Sequence, residues 1–240
     1  MVHAHDILDA VRKALQSEAR IGFPRHPIHI ALSAGDLILE GEVSDIAAKK
    51  LALERAAAVA GPRALIDRLR VAPAEWMGDG AIRDHMRDAL LGEPALANCS
   101  IRVLVKGQWE SVRTSDWSTG TIDVRVDDGV VTLDGSVVGL GLKRLAGVLA
   151  WWVPGSRDVI NGLAVTPPED DSDAEISDAV RMALEKDPMV DPSQIRVTTH
   201  DAIVTLQGQV PTESERDVAE FDAWYVFGVD KVINHIRVRA

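Results

Sequence analysis

The chain has 240 residues, 46% of them hydrophobic and 26% charged, with a formal net charge of −11; this is the composition of a globular protein and excludes wholesale disorder. No apolar run reaches the ~18–20 residues of a membrane-spanning helix, and the lone Cys99 excludes an internal disulfide and a cysteine-based metal site. Residues 1–72 hold 10 Lys/Arg against 9 Asp/Glu, residues 73–166 hold 9 against 12, and residues 167–240 hold 7 against 16, so the acidic last third repels polyanions and nucleic acid is not expected as a partner.

The first residues, Met1-Val2-His3-Ala4-His5-Asp6, lack a basic and then apolar export signal, which predicts a cytoplasmic chain, or a periplasmic one if such a signal has been trimmed away. A helix with one buried face follows at Ile7/Val11/Leu15. After Pro24 and Pro27 come two alternating strands around a Gly35-Asp36 turn, the second ending Leu37-Ile38-Leu39-Glu40-Gly41. A second helix runs to Gly61, where positive φ suits a helix end, and a closing strand covers residues 66–71. The plan then recurs. Ile82/Met86/Leu90 form the next first helix, Pro94 breaks it, Asp128-Gly129 turns the strands, Val131-Thr132-Leu133-Asp134-Gly135 ends the second, and a helix runs to Gly155 before the strand at 160–165. The third copy has Ile176/Val180/Leu184, Pro188, a turn at His200-Asp201, Val204-Thr205-Leu206-Gln207-Gly208, a helix opened by the capping box Thr212-Glu213-Ser214-Glu215, Gly228 and the strand 233–238.

Counted from Gly41, Gly135 and Gly208, a second glycine follows 20 residues on (Gly61, Gly155, Gly228), an Asp or Asn at 26 (Asp67, Asn161, Asn234) and a valine at 30 (Val71, Val165, Val238). Such a fixed period means one supersecondary unit used three times. The expected fold is α+β, three tandem αββαβ units with two helices on a small mixed sheet. They span 1–72, 79–166 and 173–240, joined by linkers at 72–78 and 166–172, with Gly41, Gly135 and Gly208 as structural turn residues. The second unit carries an insertion of about 21 residues in the segment 97–120, with Trp109 and Trp117. Either Ile101–Val105 or Ile122–Val126 is its first strand. The insertion reads as an extra hairpin or as a functional loop.

The order α-β-β-α-β, the V-x-L-x-G segment and the ending Gly228-Val229-Asp230-Lys231-Val232-Ile233-Asn234-His235-Ile236-Arg237-Val238 resemble the BON domain, the bacterial osmotically-induced and nodulation module. The resemblance covers essentially the whole chain and is looser in the first copy, where Asp67 replaces the Asn. It implies a non-enzymatic module, associated with osmotic or envelope stress and with contact to protein or phospholipid surfaces, and it brings no catalytic residues.

Residues 137–155, VVGLGLKRLAGVLAWWVPG, occupy the second-helix position of the middle copy with only Lys143 and Arg144 charged. Leu142, Leu145, Ala146, Leu149 and Trp152 make one buried stripe, which leaves Leu140, Val148 and Trp151 facing outward or sideways. That excess apolar surface needs a partner. Three remain open: a neighbouring repeat or subunit, a membrane interface with tryptophans at headgroup depth and Lys143/Arg144 on phosphates, or a small-molecule pocket. Leu140, Lys143, Arg144, Val148, Trp151 and Trp152 are therefore the candidate contact residues. The histidines His3, His5, His26, His29, His85, His200 and His235 form no metal spacing, Gly139-Leu140-Gly141 lacks a phosphate-loop context, and no catalytic triad or carboxylate pair stands out. No metal or cofactor is expected. Glu169, Asp170, Asp171 and Asp173 cluster at the second linker, which admits a cation- or osmolyte-sensing module as the alternative to a non-catalytic scaffold.

Overall fold

The computed structural model describes residues 4–61, 63–117 and 119–239 and divides into two compact units, 1–72 and 73–240. His3 lies outside the described residues. In the first unit, α1 (Ala4–Ser17) is followed by β1 (His29–Ser33), β2 (Asp36–Val43), α2 (Ile46–Ala60) and β3 (Leu65–Val71). β2 is the central strand, antiparallel to β1 and parallel to β3. The parallel pair requires a crossover, and α2 supplies it. Val11 and Leu15 from α1, Ala47, Ala48 and Ala52 from α2, and Leu37, Leu39, Val43 and Leu69 from the sheet are all buried.

In the second unit the same path occurs twice. The later copy is the simpler: α5 (Asp173–Lys186), β10 (Ile195–His200), β11 (Ile203–Val210), α6 (Glu213–Tyr225) and β12 (Lys231–Val238), with β11 again central between an antiparallel and a parallel neighbour. Thr212 caps α6 by accepting from the Glu215 amide at 3.1 Å, as the capping box predicts. The earlier copy runs α3 (Asp79–Gly92), β4 (Cys99–Val105), β5 (Gln108–Arg113), β6 (Gly120–Asp127), β7 (Val130–Val137), α4 (Leu140–Trp152), β8 (Asp158–Asn161) and β9 (Ala164–Val165). β6 pairs with β7 from Gly120↔Val137 to Asp127↔Val130, so it takes the place that β10 takes beside β11. β4 lies outside it in parallel, and β5 folds back as the edge of a path ordered β5-β4-β6-β7-β8. The insertion is a hairpin added to the sheet, and 120–127 is the first repeat strand.

Two expectations shift. Gly41, Gly135 and Gly208 are not turn residues: each lies inside the strand of its repeat that pairs antiparallel with one neighbour and parallel with the closing strand, at φ of +149°, +113° and +156°. Their role is close approach. A Cβ on Gly41 stands 3.0 Å from the Pro27 carbonyl oxygen, and on Gly135 or Gly208 it would overlap the carbonyl oxygen of Thr121 or Gln194 on the adjacent chain segment.

The turns expected at Gly35-Asp36 and His200-Asp201 sit one residue earlier and later, at Ala34-Gly35 and Asp201-Ala202; only Asp128-Gly129 is where the sequence places it. All six central residues have positive φ, as a hairpin twisting with its strands demands. Asp201-Ala202 does this without glycine because Asp173, in the first turn of α5, accepts from both amides at 2.9 and 3.0 Å. Those two bonds hold its carboxyl below the usual range. Asp79 in α3 holds Asp128 and Gly129 in the same way at 3.1 and 2.9 Å.

The Asp/Asn of the closing strand also has a shared task. Asn161 and Asn234 donate from Nδ2 to the carbonyls of Lys143 and Arg216 at 2.7 and 3.3 Å, tying strand to second helix. In the first unit Asp67 has no amide to donate. Lys49, eight residues after Gly41 as Lys143 and Arg216 are after theirs, is 4% exposed, and its Nζ reaches Asp67 Oδ2 at 2.9 Å and the Leu69 carbonyl at 2.8 Å. The donor has moved from strand to helix.

Candidate functional site

The apolar helix α4 contacts α3 on one side and α5 and α6 on the other. Its expected outward residues are therefore covered: Leu140 and Val148 are buried and Trp151 is half-buried, its ring stacked on Tyr225 of α6 at 5.6 Å between centroids. Of the three candidate partners, the neighbouring repeat occupies this surface. Arg144, expected on an accessible face, is 1% exposed; it donates from Nε to the Phe227 carbonyl at 3.0 Å and pairs with Asp171. Those two bonds offset the cost of burying a guanidinium, which without a partner is prohibitive. Lys143 stays half-exposed, with Nζ 4.7 Å from the Phe227 ring centroid, a cation–π distance. Gly139 offers no side-chain cap to α4; Glu169 from the second linker supplies one, its carboxylate accepting from the Leu140 amide at 2.8 Å at the positive end of the helix.

Trp152 completes the seam. Its indole donates to Oδ1 of Asp222 at 2.9 Å, and Asp222 is 0% exposed. Burial pushes this carboxyl up to about 8; the Trp152 bond works against that, and neighbouring Asp187 raises it further. As a carboxylate, Asp222 leaves Oδ2 without a donor among the described residues. The neutral acid carries a proton there instead, which is the form that burial and the neighbouring Asp187 favour. A second tie joins the repeats at Lys186, whose Nζ lies 2.9 Å from both oxygens of buried Glu93. Sequence reasoning singled out α4 but missed Asp171, Glu169, Asp222 and Phe227. Glu169 and Asp171 were legible only as an acidic linker, and Asp222 as one of many acids on α6.

Away from the seam, Trp117 in the turn between β5 and β6 is 88% exposed and Trp109 on the inserted hairpin 47%, the latter beneath the Arg102 guanidinium at 5.5 Å. Among the described residues no three His, Cys, Asp or Glu side chains are grouped to hold a metal ion, and no helix is long and apolar enough to cross a membrane.

The family model for the BON domain matches three segments, 3–73, 110–167 and 172–240. The chain belongs to the BON domain family. The second match opens inside β5 and so takes β6, not β4, as the strand beside β7. The osmotically-inducible protein Y of Escherichia coli (strain K12) is 30% identical over 124 residues, covering 49% of this BON chain; the match spans 62% of that protein's length. Two solved structures of CdsD, a structural protein of the type III secretion system of Chlamydia trachomatis, are 13% and 12% identical. They cover 98% of this chain and 98% and 92% of their own, at TM-scores of only 0.26 and 0.25.

Proposed function

We propose that this BON protein is a non-catalytic interaction scaffold of the osmotic stress response, contacting protein surfaces. The observation that carries this reading is the use to which α4 is put. Its arginine, lysine and two tryptophans are spent on bonds, stacking and a cation–π contact that lock the second repeat to the third, and none is left converging on a space where a substrate would react. What the fused pair offers outward is sheet surface and the insertion, with Trp109 on its hairpin and Trp117 in the turn that follows, the kind of exposed aromatic that anchors protein contacts. The likeness to an osmotically inducible protein supports the stress context.

The test is site-specific photocrosslinking in cells, with the photoreactive residue at position 109, 117 or 152, before and after a hyperosmotic shift. Crosslinks to protein from 109 and 117 that rise with the shift, and none from 152, support the reading. Absence of protein crosslinks at 109 and 117, or retention on phospholipid vesicles with no protein partner, overturns it.

A further inference from the structure

The strands of the third sheet, IRVTTH, IVTLQGQV and KVINHIRV, contain no Asp or Glu at all. The sheets of the other repeats do: Asp36, Glu40, Glu42 and Asp67 in one, Glu110, Asp123, Asp127, Asp134 and Asp158 in the other. Alternation sorts the third sheet further. Ile195, Val197, Val204, Leu206, Val210, Val232 and Ile236 are buried under the helices. The opposite parity points away from them and carries Arg196, Lys231, His235 and Arg237, all exposed. Register sets Arg196, Gln207 and His235 in one row across the three strands, with Gln209 beside Arg237 in the next. An open groove of about 490 Å³ runs over Gln207, Gly208, Gln209, His235 and Arg237. Among the described residues Arg196, Lys231 and Arg237 have no carboxylate partner.

All 16 acids of residues 167–240 therefore sit on helices and loops. On the helices, Asp178 of α5 and Glu213 and Asp217 of α6 keep 75%, 78% and 54% of their side-chain surface exposed. A net charge that reads as uniformly repulsive in the sequence is in the fold a dipole, with an acidic helical layer on one side of the sheet and a cationic face on the other. The two surfaces point in opposite directions, so within one chain they cannot meet.

We propose that the open sheet face of the third repeat docks the acidic helical layer of a second copy of this chain. Such a contact is head-to-tail, so it propagates into rings or open assemblies instead of closing into a symmetric dimer. The occupant is chosen by complementarity: Glu213 and Asp217, four residues apart and so on one face of α6, answer Arg196 and Arg237 while sharing or giving up their exposed contacts with Arg216 at 4.0 and 2.9 Å, with Gln207 and Gln209 free to bridge. Two copies at −11 each repel at long range, and salt near 0.1 M screens that beyond about 10 Å while sparing pairs in contact. Exposed ion pairs are individually weak, so the dissociation constant falls on the order of 0.1–1 mM and assembly follows local concentration. Water loss from the cell raises that concentration, which fits an osmotic role. This inference rests on the reading of the chain as an interaction module.

Sedimentation equilibrium from 20 μM to 1 mM, in 0.1 M and 1 M NaCl, tests it with the full chain. Wild type is expected to show concentration-dependent association in 0.1 M salt that is lost in 1 M. Arg196→Gln/Arg237→Gln and Glu213→Gln/Asp217→Asn, each with an unchanged far-UV spectrum, should remain monomeric alone and form 1:1 dimers when mixed, since each retains one good face. A wild type monomeric throughout, or either double variant associating like wild type, overturns the proposal. So does loss of binding to phosphatidylglycerol vesicles in the arginine variant of a monomeric protein, which would assign the face to lipid. A monomeric protein that still gives stress-dependent crosslinks from positions 109 and 117 would overturn this inference and leave the scaffold reading standing.

Discussion

Replacing the strand glycines by alanine gives a graded test of the repeat architecture. Each has positive φ, which costs an alanine about 1–2 kcal/mol. At Gly41 the new Cβ stands 3.0 Å from the Pro27 carbonyl oxygen, a clash relieved by a few tenths of an ångström, so the whole cost stays near 1–2 kcal/mol. At Gly208 the Cβ overlaps the Gln194 carbonyl oxygen and also lies 3.0 Å from Gln194 C and 3.2 Å from Ile195 Cα, and at Gly135 it overlaps the Thr121 carbonyl oxygen. There the paired strands must separate, at the expense of about two ladder hydrogen bonds worth ~1 kcal/mol each, for a total of about 3–4 kcal/mol. Gly141, exposed in α4 with nothing within 4 Å, is the control; alanine there should stabilise by about 0.5–1 kcal/mol. Urea unfolding separates the units, because all six tryptophans lie within 73–240 and their fluorescence reports only that unit, while far-UV dichroism reports both. Losses below about 1 kcal/mol for Gly135→Ala and Gly208→Ala, or a loss at Gly41→Ala as large as either, would refute the close-approach account.

Ala202→Gly should stabilise unit 73–240 by about 0.5–1 kcal/mol, because it relieves an alanine held at φ +59°; the urea midpoint reads it. Asn234→Asp replaces an amide that donates to the Arg216 carbonyl and to Glu220 at 2.9 Å by a carboxylate that repels both, and should cost about 2 kcal/mol in the same assay, with Gln at 220 recovering part of it. Asp222 is raised to about 8 from an ordinary value near 3.8, so the folded seam holds a proton that the unfolded chain releases. Its stabilising contribution is full below about pH 4 and falls steadily as pH climbs to about 8. Asp222→Asn keeps the Trp152 bond without the titration, and the stability difference between wild type and variant, measured from pH 5 to 9, should change in the variant's favour as pH rises. A difference independent of pH would show that the carboxyl is ionised throughout.

Local pattern carried the sequence reading far. The i, i+4, i+8 stripes, the alternating strands and the 20-, 26- and 30-residue spacings are consequences of helix and strand periods, which neighbours along the chain obey whatever lies opposite. They were enough to place six helices, the repeat and the family. The exceptions were positions where a second segment of chain decides. Gly208 looks like a turn glycine until Gln194 is laid against it; Asp67 looks like a weakened repeat until Lys49 is seen to supply the missing donor; Asp201-Ala202 needs Asp173 from 28 residues away.

The αββαβ unit, its threefold use and the presence of one helix too apolar to stand in water are all written in local residue pattern. What covers that helix emerges from the folded chain alone, because the partners that do so, Asp222 for Trp152 and Phe227 for Arg144, lie 70 and 83 residues further on. The fold also decides how the −9 of the last repeat is deployed. A sum over residues has no direction, whereas strand alternation and a two-layer fold send the acids to the helices and leave the sheet to the arginines.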